Sequence, residues 1–451
     1  MHSDRKPAAS LFVTVRASGL IALAATLAGC GNTYRPVVSA INPVGPAGQL
    51  TKYAVAISST GPTTPGLVTL VDVSGDTIVN TTLIGVNPKY FTLDANGFQA
   101  YVLNSDSTLN TFSVSTSLLS SQVLQSTLLP GSNPVNIYPQ GSYIYIAEAG
   151  RNAVAQLQGQ PAAIHQELPT GAGTVYTVGV NGSPRAYALV AGAGIAPGTA
   201  VPIETNTNTT DAPIPVGTNP TFGVMSADSR RAFVLNKGSN NISVINAQSN
   251  ALDTFTVGGR VVSTIPVGVA PVWADFASSL NEMVVANAGD GKTPGSLTII
   301  SIPLCSVTTV TTNPNCDAAN PIDAVGFGAV LANVPVGINP VMVAVLQDGT
   351  RAYVANAGNA ALGIAGSVSV VNLTSNTVIA TIPAAISTNQ ADLFIHGHPS
   401  YIGVTTGTPT GKAYIVSPDS TDITIIRTDL DVVSQHLPLQ GNGVSVRMTR
   451  P

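Results

Sequence analysis

Residues 338–384 read INPVMVAVLQDGTRAYVANAGNAALGIAGSVSVVNLTSNTVIATIPA, and this stretch decides the fold. Its apolar runs are rich in Val, Ile, Ala and Tyr, and turn-forming sequences such as Asp348-Gly349 and Thr374-Ser375-Asn376 separate them. The pattern predicts strands at 340–345, 351–355, 367–372 and 377–382. Four successive antiparallel strands form one blade of a β-propeller, and neighbouring blades bury each other's faces.

Two phrases of this unit recur along the chain. The first is a strand that ends in Asn, and its clearest copies are Tyr101–Asn104, Phe233–Asn236, Val284–Asn287 and Tyr353–Asn356. The second is Ile/Val-Pro-Val-Gly, found at Ile214–Gly217, Ile265–Gly268 and Val334–Gly337. Asn-Pro pairs follow or replace it, at Asn87-Pro88, Asn133-Pro134, Asn219-Pro220 and Asn339-Pro340. The shorter spacings between copies fall in the range of four-stranded propeller blades.

The two phrases together resemble the YVTN-repeat β-propeller family over roughly residues 51–450. The resemblance implies an all-β propeller of four-stranded antiparallel blades. We count eight units, at 51–85, 86–131, 132–171, 172–217, 218–268, 269–337, 338–397 and 398–442. The C-terminal segment 444–449 has no blade of its own, so we expect it to pair into the first blade and close the ring. Seven blades remain the alternative, if one weak unit is an insertion.

The N-terminal residues predict an exported lipoprotein. Arg5, Lys6 and Arg16 precede an apolar run from Leu20 to Ala28, which suits the core of a signal peptide. The run ends in Leu27-Ala28-Gly29-Cys30, which looks like a lipobox with Cys30 as the acylated residue. The alternative is an ordinary secretory signal with an incidental cysteine. The expected organisation is a signal peptide at 1–29, a lipidated tether at 30–50 and a propeller at 51–451.

Composition and the lipobox indicate where the chain works. Only 9% of residues are charged, 44% are hydrophobic and the formal net charge is -4, so the chain can bury a large core and is not expected to bind nucleic acid. We expect attachment to the membrane through the lipid on Cys30. Gly31 follows that cysteine, in place of the aspartate that often signals retention in the inner membrane of enteric bacteria. We therefore favour the outer membrane or the periplasmic face of the cell envelope.

The remaining cysteines and the histidines give little sign of catalysis. Cys305 and Cys316 are expected to form a disulfide in an oxidising compartment. His396 and His398 could offer two imidazoles to a metal, but no third ligand is evident, so we expect no metal site. The sequence contains no recognised catalytic motif and no cofactor-binding motif. We expect neither a catalytic residue nor a cofactor.

One face of the propeller is the candidate recognition surface. Loops between second and third strands share this face with the links between blades, and those at 191–200, 288–295 and 357–366 are expanded, as is the link 384–398. The candidate residues there are Asn104, Asn236, Asn287, Asn356, His396 and His398. The asparagines fit a structural role as well, because Asn side chains cap turns.

The sequence favours a non-catalytic binding or scaffolding protein that contacts an unknown envelope protein or glycan. Propellers of similar appearance include lactonases and quinoprotein dehydrogenases, so an enzyme is the alternative. A lactonase needs carboxylates and His at the mouth of the channel. Few acidic residues fall at the predicted blade starts. A third reading is a surface-layer component that self-associates.

Overall fold

The computed structural model describes residues 52–303, 326–385, 393–406 and 411–450. Within these ranges the chain forms eight antiparallel blades, each built on four strand positions. The predicted eight-bladed propeller is confirmed. The described part also contains three short 3-10 helices, at Ser120–Gln122, Ser278–Leu280 and Ala360–Leu362. None of the helices in the described part of the chain has the length and apolar character of a membrane-spanning segment.

Blade 1 joins the two ends of the propeller. It contains β1 (Tyr53–Ser59), β2 (Pro65–Asp72), β3 (Thr77–Val86) and the C-terminal strand β37 (Asn442–Met448). The order is β3-β2-β1-β37, so β37 is the inner strand and lies antiparallel to β1, with Arg447 opposite Val55. The predicted closure of the ring by the C-terminal segment is therefore confirmed.

The other seven blades follow in chain order from the inner to the outer strand. Blade 2 is β4 (Pro88–Leu93), β5 (Gln99–Asn104), β6 (Thr108–Ser113) and β7 (Leu124–Thr127). Blade 3 is β8 (Pro134–Gln140), β9 (Tyr143–Glu148), β10 (Ala153–Gln158) and β11 (Ala163–Pro169). Blade 4 is β12 (Thr174–Val178), β13 (Arg185–Val190), β14 (Pro197–Glu204) and an outer strand split into β15 (Thr209–Thr210) and β16 (Ile214–Thr218).

Blade 5 is the least regular. It contains β17 (Pro220–Met225), β18 (Arg231–Asn236), β19 (Asn241–Asn246) and a split outer strand, β20 (Ala251–Leu252) and β23 (Thr264–Pro266). A separate hairpin, β21 (Phe255–Val257) with β22 (Arg260–Val262), lies between the two halves. The repeat did not predict this hairpin.

Blades 6 to 8 return to four main strands. Blade 6 is β24 (Pro271–Ala277), β25 (Glu282–Asn287), β26 (Pro294–Ser301) and β27 (Val330–Ile338). Blade 7 is β28 (Pro340–Val345), β29 (Arg351–Asn356), β30 (Ser367–Asn372) and β31 (Thr377–Ala385), with the short β32 (Ile395–His396) parallel to β31. Blade 8 is β33 (Tyr401–Val404), β34 (Lys412–Val416), β35 (Asp422–Arg427) and β36 (Val432–Pro438).

The strand order defines two faces. The link face carries the links between blades and the loops between second and third strands. The hairpin face carries the connections from first to second and from third to fourth strands. Each inner strand of blades 2 to 8 therefore runs from the link face toward the hairpin face, and the inner strands surround the central channel.

Apolar cores lie between adjacent blades. Between blades 6 and 7, Val284 and Ile299 pack in one cluster with Val343 and Val354, and all four side chains are fully buried. The same arrangement joins blade 8 to blade 1, where Tyr414 packs in one cluster with residues of β1, β2 and β37. Because each blade buries both faces in this way, none of them is an independent folding unit.

The tyrosine of the first phrase ties its blade to the next one. Its hydroxyl bonds a residue with a left-handed backbone in the turn between the third and fourth strands of the following blade. The pairs are Tyr145 with Asn208 at 2.7 Å, Tyr187 with Asn250 at 3.0 Å, Tyr353 with Asp431 at 2.5 Å and Tyr414 with Asp76 at 2.5 Å. Asn and Asp tolerate a positive φ better than most residues, which explains their presence in these turns.

The asparagine of the first phrase packs against the glycine of the second phrase in the preceding blade. In blade 7, the Asn356 Nδ2 donates to the Ser367 Oγ at 3.1 Å and the Ser369 Oγ at 2.9 Å. A Cβ on Gly337 of blade 6 would lie 2.6 Å from the Asn356 Cγ. Gly217 with Asn236, Gly268 with Asn287 and Gly85 with Asn104 repeat this contact. The two phrases recur in register because they touch across the blade boundary.

The Asn-Pro pairs supply a further left-handed residue at the start of the inner strand. Asn87, Asn133, Asn219 and Asn339 have φ between 42° and 55°. Blade 6 has Ala270 at this place with φ 56°. An alanine side chain destabilises this conformation, whereas asparagine tolerates it.

We therefore expect Ala270→Asn to stabilise the protein by about 1 kcal/mol, since it relieves the backbone strain without changing the fold. The midpoint of urea unfolding should rise. The reverse substitution at the equivalent position of blade 7, Asn339→Ala, should lower it, and by more, because the Asn339 side chain also donates to the Gly358 carbonyl at 3.2 Å. A fall in stability for Ala270→Asn would contradict this account of the Asn-Pro pairs.

Candidate functional site

The channel wall has one chemically distinctive level. It is formed by the residue two positions after the proline that opens or precedes most inner strands, and by the equivalent residue where this proline is absent. These residues are Tyr90, Asn136, Tyr176, Phe222, Trp273, Met342 and Tyr401, and Ser445 takes this place on β37 by register. We call Tyr90, Tyr176, Phe222, Trp273 and Tyr401 the aromatic layer.

Four of the five rings of the aromatic layer contact one another in series. Tyr176 and Phe222 have centroids 4.9 Å apart, and Phe222 stacks on Trp273 at 4.3 Å. Trp273 then meets Tyr401 edge to face at 5.8 Å. Because Trp273 and Tyr401 belong to blades 6 and 8, their contact passes in front of blade 7. The layer therefore reaches into the channel as a connected aromatic surface.

A cavity of about 590 Å³ lies next to this layer. Its walls are residues at the aromatic layer and after it along the inner strands of blades 4 to 8 and along β37, so it occupies the half of the channel nearer the hairpin face. This volume is within the range of small-molecule sites. A second cavity of about 300 Å³, between blades 2 and 3, is lined by no charged side chain.

Arg447 of β37 brings a positive charge into the larger cavity. Its guanidinium lies 4.8 Å from the centroid of the Tyr401 ring, which is within the range of a cation–π contact. The Nε is buried and has no hydrogen-bond partner among the described residues. The described part of the chain also offers this guanidinium no ion pair. Arg447 as a whole is only partly buried and lines the cavity, so its charge is available to a ligand there.

Asp275 of β24 is the acidic residue of the cavity wall. Its Oδ1 accepts from the Phe276 backbone N–H at 2.8 Å, and its Oδ2 accepts from the Val345 N–H at 2.9 Å. Burial raises the pKa of this carboxyl to about 6, although these hydrogen bonds and the charge of Arg447 oppose the shift. Both oxygens are thus engaged by backbone donors, whereas the Arg447 Nε finds no acceptor among the residues that the structure describes.

Tyr401 contributes a hydroxyl group to the aromatic layer. Burial raises the pKa of its phenol to about 12, so the hydroxyl stays protonated at neutral pH and can donate a hydrogen bond. The hydroxyl is buried and has no partner at normal hydrogen-bonding distance among the described residues. Nearby, the Asn136 Nδ2 donates to the Tyr90 hydroxyl at 3.1 Å. The channel therefore combines a cation and a hydroxyl donor with a large aromatic surface.

The four predicted asparagines lie close to the link face but are inaccessible. Asn104, Asn236, Asn287 and Asn356 are at most 2% exposed. Each side chain amide donates to Ser, Thr or Asn side chains of the third strand of its own blade. These contacts are structural, and a ligand on this face would meet the loops that follow the asparagines instead.

The two predicted histidines are held apart by different partners. The His396 Nδ1 lies 2.9 Å from the Asp422 Oδ2, and the His398 Nδ1 lies 2.5 Å from the Asp419 Oδ2. His436 of blade 8, which the sequence did not connect with them, stacks on His396 with centroids 3.7 Å apart. Among the described residues, no three His, Cys, Asp or Glu side chains form a group that could hold a metal ion.

The expanded loops are on the link face as predicted, at 191–196 in blade 4, 288–293 in blade 6 and 357–366 in blade 7. The loops of blades 6 and 7 are tied together, because the Asn359 Nδ2 donates to the Gly291 carbonyl at 2.9 Å. Asn359 also caps the 3-10 helix Ala360–Leu362. Cys30, Cys305 and Cys316 lie outside the described residues, so their predicted lipidation and disulfide remain predictions.

Fold and channel together define an eight-bladed β-propeller with an aromatic-walled central cavity. No protein-family model matches the chain, and no curated protein matches it either. Several solved structures of other β-propellers do match the chain.

Three of these structures show how far the similarity extends. The dihydro-heme d1 dehydrogenase NirN, in complex with DHE, superposes with a TM-score of 0.57 and 12% identity over 90% of this chain and 78% of that one. AztD of Citrobacter koseri has a TM-score of 0.55 and 9% identity over 88% and 98%. Hydrazine synthase of Kuenenia stuttgartiensis has a TM-score of 0.50 and 14% identity over 71% and 91%. At these identities the similarity shows the fold alone.

Proposed function

We propose that this protein is a non-catalytic binding module of the cell envelope, anchored through Cys30, which recognises an envelope protein or glycan with its link face. The observation that carries the proposal is the bond between Asn359 and Gly291, which joins expanded loops of two blades into one platform. Long loops held by a rigid scaffold are common sites of recognition.

The platform of blades 6 and 7 and the expanded loop of blade 4, on the same face, present apolar side chains to solvent. Ile195 is 94% exposed on its loop and Leu362 is 55% exposed on the 3-10 helix capped by Asn359. Apolar anchors of this kind supply much of the binding energy at protein interfaces once a partner covers them. The sequence supports the envelope location through the lipobox before Cys30 and the low overall charge.

The test compares two matched double variants in intact envelopes. Ile195→Ser with Leu362→Ser removes the apolar anchors of the link face, and Phe98→Ser with Leu430→Ser removes two side chains of similar exposure, 65% and 61%, from the hairpin face. After crosslinking and affinity recovery of the lipidated protein, we expect one stoichiometric partner with the unmodified chain and with the hairpin-face variant. Recovery should fall about tenfold for the link-face variant.

Two results would contradict the proposal. Equal recovery of the same partner with the link-face variant would show that this face is not the contact surface. Loss of the partner only in the hairpin-face variant would move the contact to the other side of the propeller. Both variants change only exposed residues, so thermal unfolding should be close to that of the unmodified protein.

A further inference from the structure

The geometry points to a second, independent site: the channel cavity binds a small aromatic monocarboxylate, with the carboxylate on Arg447 and the ring against Phe222 and Trp273. This site lies in the half of the channel nearer the hairpin face and does not depend on the proposed function of the link face. The inference follows from the charge of Arg447, which has no ion pair among the described residues, from the aromatic side chains of the cavity and from the hydrogen bonds of the neighbouring Asp275 carboxyl group.

The positive charge of Arg447 favours an anionic ligand. An arginine is always protonated, and its planar guanidinium carries five N–H donors suited to the two oxygens of a carboxylate. The Nε is buried without a hydrogen bond to any residue that the structure describes, and the Tyr401 ring covers one face of the guanidinium. The N–H groups lie in the plane of the guanidinium, so the contact with the Tyr401 ring leaves them able to bind an oxyanion.

Aromatic and aliphatic side chains lie beside Arg447 in the same cavity. Phe222 and Trp273 are stacked, and Met342, Val224 and Ala344 line the same cavity. A ligand ring placed here would contact aromatic faces and edges, which stabilise one another in stacked or edge-to-face geometry. The cavity of about 590 Å³ has room for a molecule of this size.

The other charges of the cavity favour a ligand with one negative charge. Asp275 has both oxygens engaged by backbone N–H groups, so it offers little to a cation, and it would repel a second carboxylate. Arg450, which is exposed, adds a positive charge to the cavity wall. Although the chain has a formal net charge of -4, these two arginines give the cavity a local positive potential that attracts anions.

Three probes with one common body test the inference. Phenylpropionate, phenylpropanol and phenylpropylamine differ only in carrying a negative, a neutral or a positive end group. Each is titrated into the full-length protein by calorimetry, with the fluorescence of Trp273 as the reporter of location, because this is the single tryptophan of the chain. We expect phenylpropionate to bind with one-to-one stoichiometry and to change the fluorescence, and the other two probes to bind at least about tenfold more weakly.

Variants of Arg447 then test whether its guanidinium binds the carboxylate of the probe. Arg447→Gln should weaken phenylpropionate binding at least about tenfold, and Arg447→Lys should give an intermediate loss because it keeps the charge without the planar fork. Arg260→Gln is the control: it removes an equal charge from the exposed hairpin of blade 5 and should leave binding unchanged. The comparison of the three probes on the unmodified protein decides the question even if Arg447→Gln does not fold.

The inference fails if phenylpropionate gives neither heat nor a fluorescence change at millimolar concentration. It also fails if phenylpropanol or phenylpropylamine binds as tightly as phenylpropionate, or if folded Arg447→Gln binds phenylpropionate as well as the unmodified chain. None of these results bears on the link-face proposal, whose variants change different residues.

Discussion

Asp76→Asn should lower the free energy of unfolding by about 3 kcal/mol, since it leaves a buried ammonium without its counterion. Asp76 and Lys412 are 4% and 5% exposed, and the Lys412 Nζ lies 2.6 Å from the Asp76 Oδ2. The pair joins blade 1 to blade 8, where the ring closes. Asparagine is chosen because Asp76 has φ 49° and asparagine tolerates this backbone. Urea unfolding measures the change.

The partners of Asp76 explain why the loss should be large. The Tyr414 hydroxyl donates to the Asp76 Oδ1 at 2.5 Å, and the Lys412 Nζ also donates to the Val73 carbonyl at 2.7 Å. Burial lowers the pKa of Lys412, and the charge of Asp76 opposes that shift. Without the aspartate charge, Lys412 either stays charged in an unfavourable environment or releases its proton, and both outcomes destabilise the folded state.

Two controls separate the buried charge from other effects. Asp429→Asn removes a carboxylate from a partly exposed pair with Arg427 and should change stability by no more than about 1 kcal/mol. Adding Lys412→Met to Asp76→Asn should recover part of the lost stability, because the unpaired charge is then gone. If the double variant were less stable than Asp76→Asn alone, the burial of the charge would not be the cause.

The repeat predicted the fold well because blade contacts are encoded locally. In blade 7 the predicted strands at 340–345, 351–355, 367–372 and 377–382 compare with Pro340–Val345, Arg351–Asn356, Ser367–Asn372 and Thr377–Ala385 in the structure. The tyrosine, asparagine and glycine of the two phrases each make a contact with an adjacent blade. A sequence pattern that recurs for such a reason predicts architecture reliably.

The weaker copies of the phrase also have a physical explanation. Where the second strand ends in Asn356, the third strand offers Ser367 and Ser369 as acceptors. Blade 3 ends its second strand in Glu148, which lies opposite Ala153. Burial and the neighbouring Glu167 raise the pKa of Glu148 to about 7. Blade 3 therefore lacks both the asparagine and the serine or threonine side chains that would accept its hydrogen bonds. This joint absence can be seen in the sequence, and it distinguishes blade 3 from the regular blades.

Outer strands were harder to predict than inner ones. The outer strand of blade 5 is split, and the hairpin between its halves is largely exposed, with Val261 at 73%. An outer strand has a neighbour on one edge only, so its apolar pattern is weak and insertions are tolerated. The limits of blade 5 were predicted from the repeat, whereas the split of its outer strand and the extra hairpin were not.

The channel site was not predicted, because its residues come from different blades and belong to no local motif. Arg447 lies on the closing strand, far along the chain from Tyr90 and Trp273. A signal was nevertheless present. The second residue after the opening proline is aromatic in four inner strands, at Tyr90, Phe222, Trp273 and Tyr401. Aligning the repeats on that proline would have shown an aromatic level in the channel.

Gly337→Ala should lower the free energy of unfolding by about 3 kcal/mol, because the added Cβ would lie 2.6 Å from both the Asn356 Cγ and the Ser367 Oγ. Asn356 is fully buried and bonded, so it cannot move aside without losing its hydrogen bonds. Gly75→Ala is the matched control, because the nearest atom to the added Cβ would be 3.7 Å away. Its free energy of unfolding, measured in urea, should change by about 0.5 kcal/mol or less. In an Asn356→Ala background the penalty of Gly337→Ala should shrink. An unchanged penalty there would show that the two phrases do not recur because of this contact.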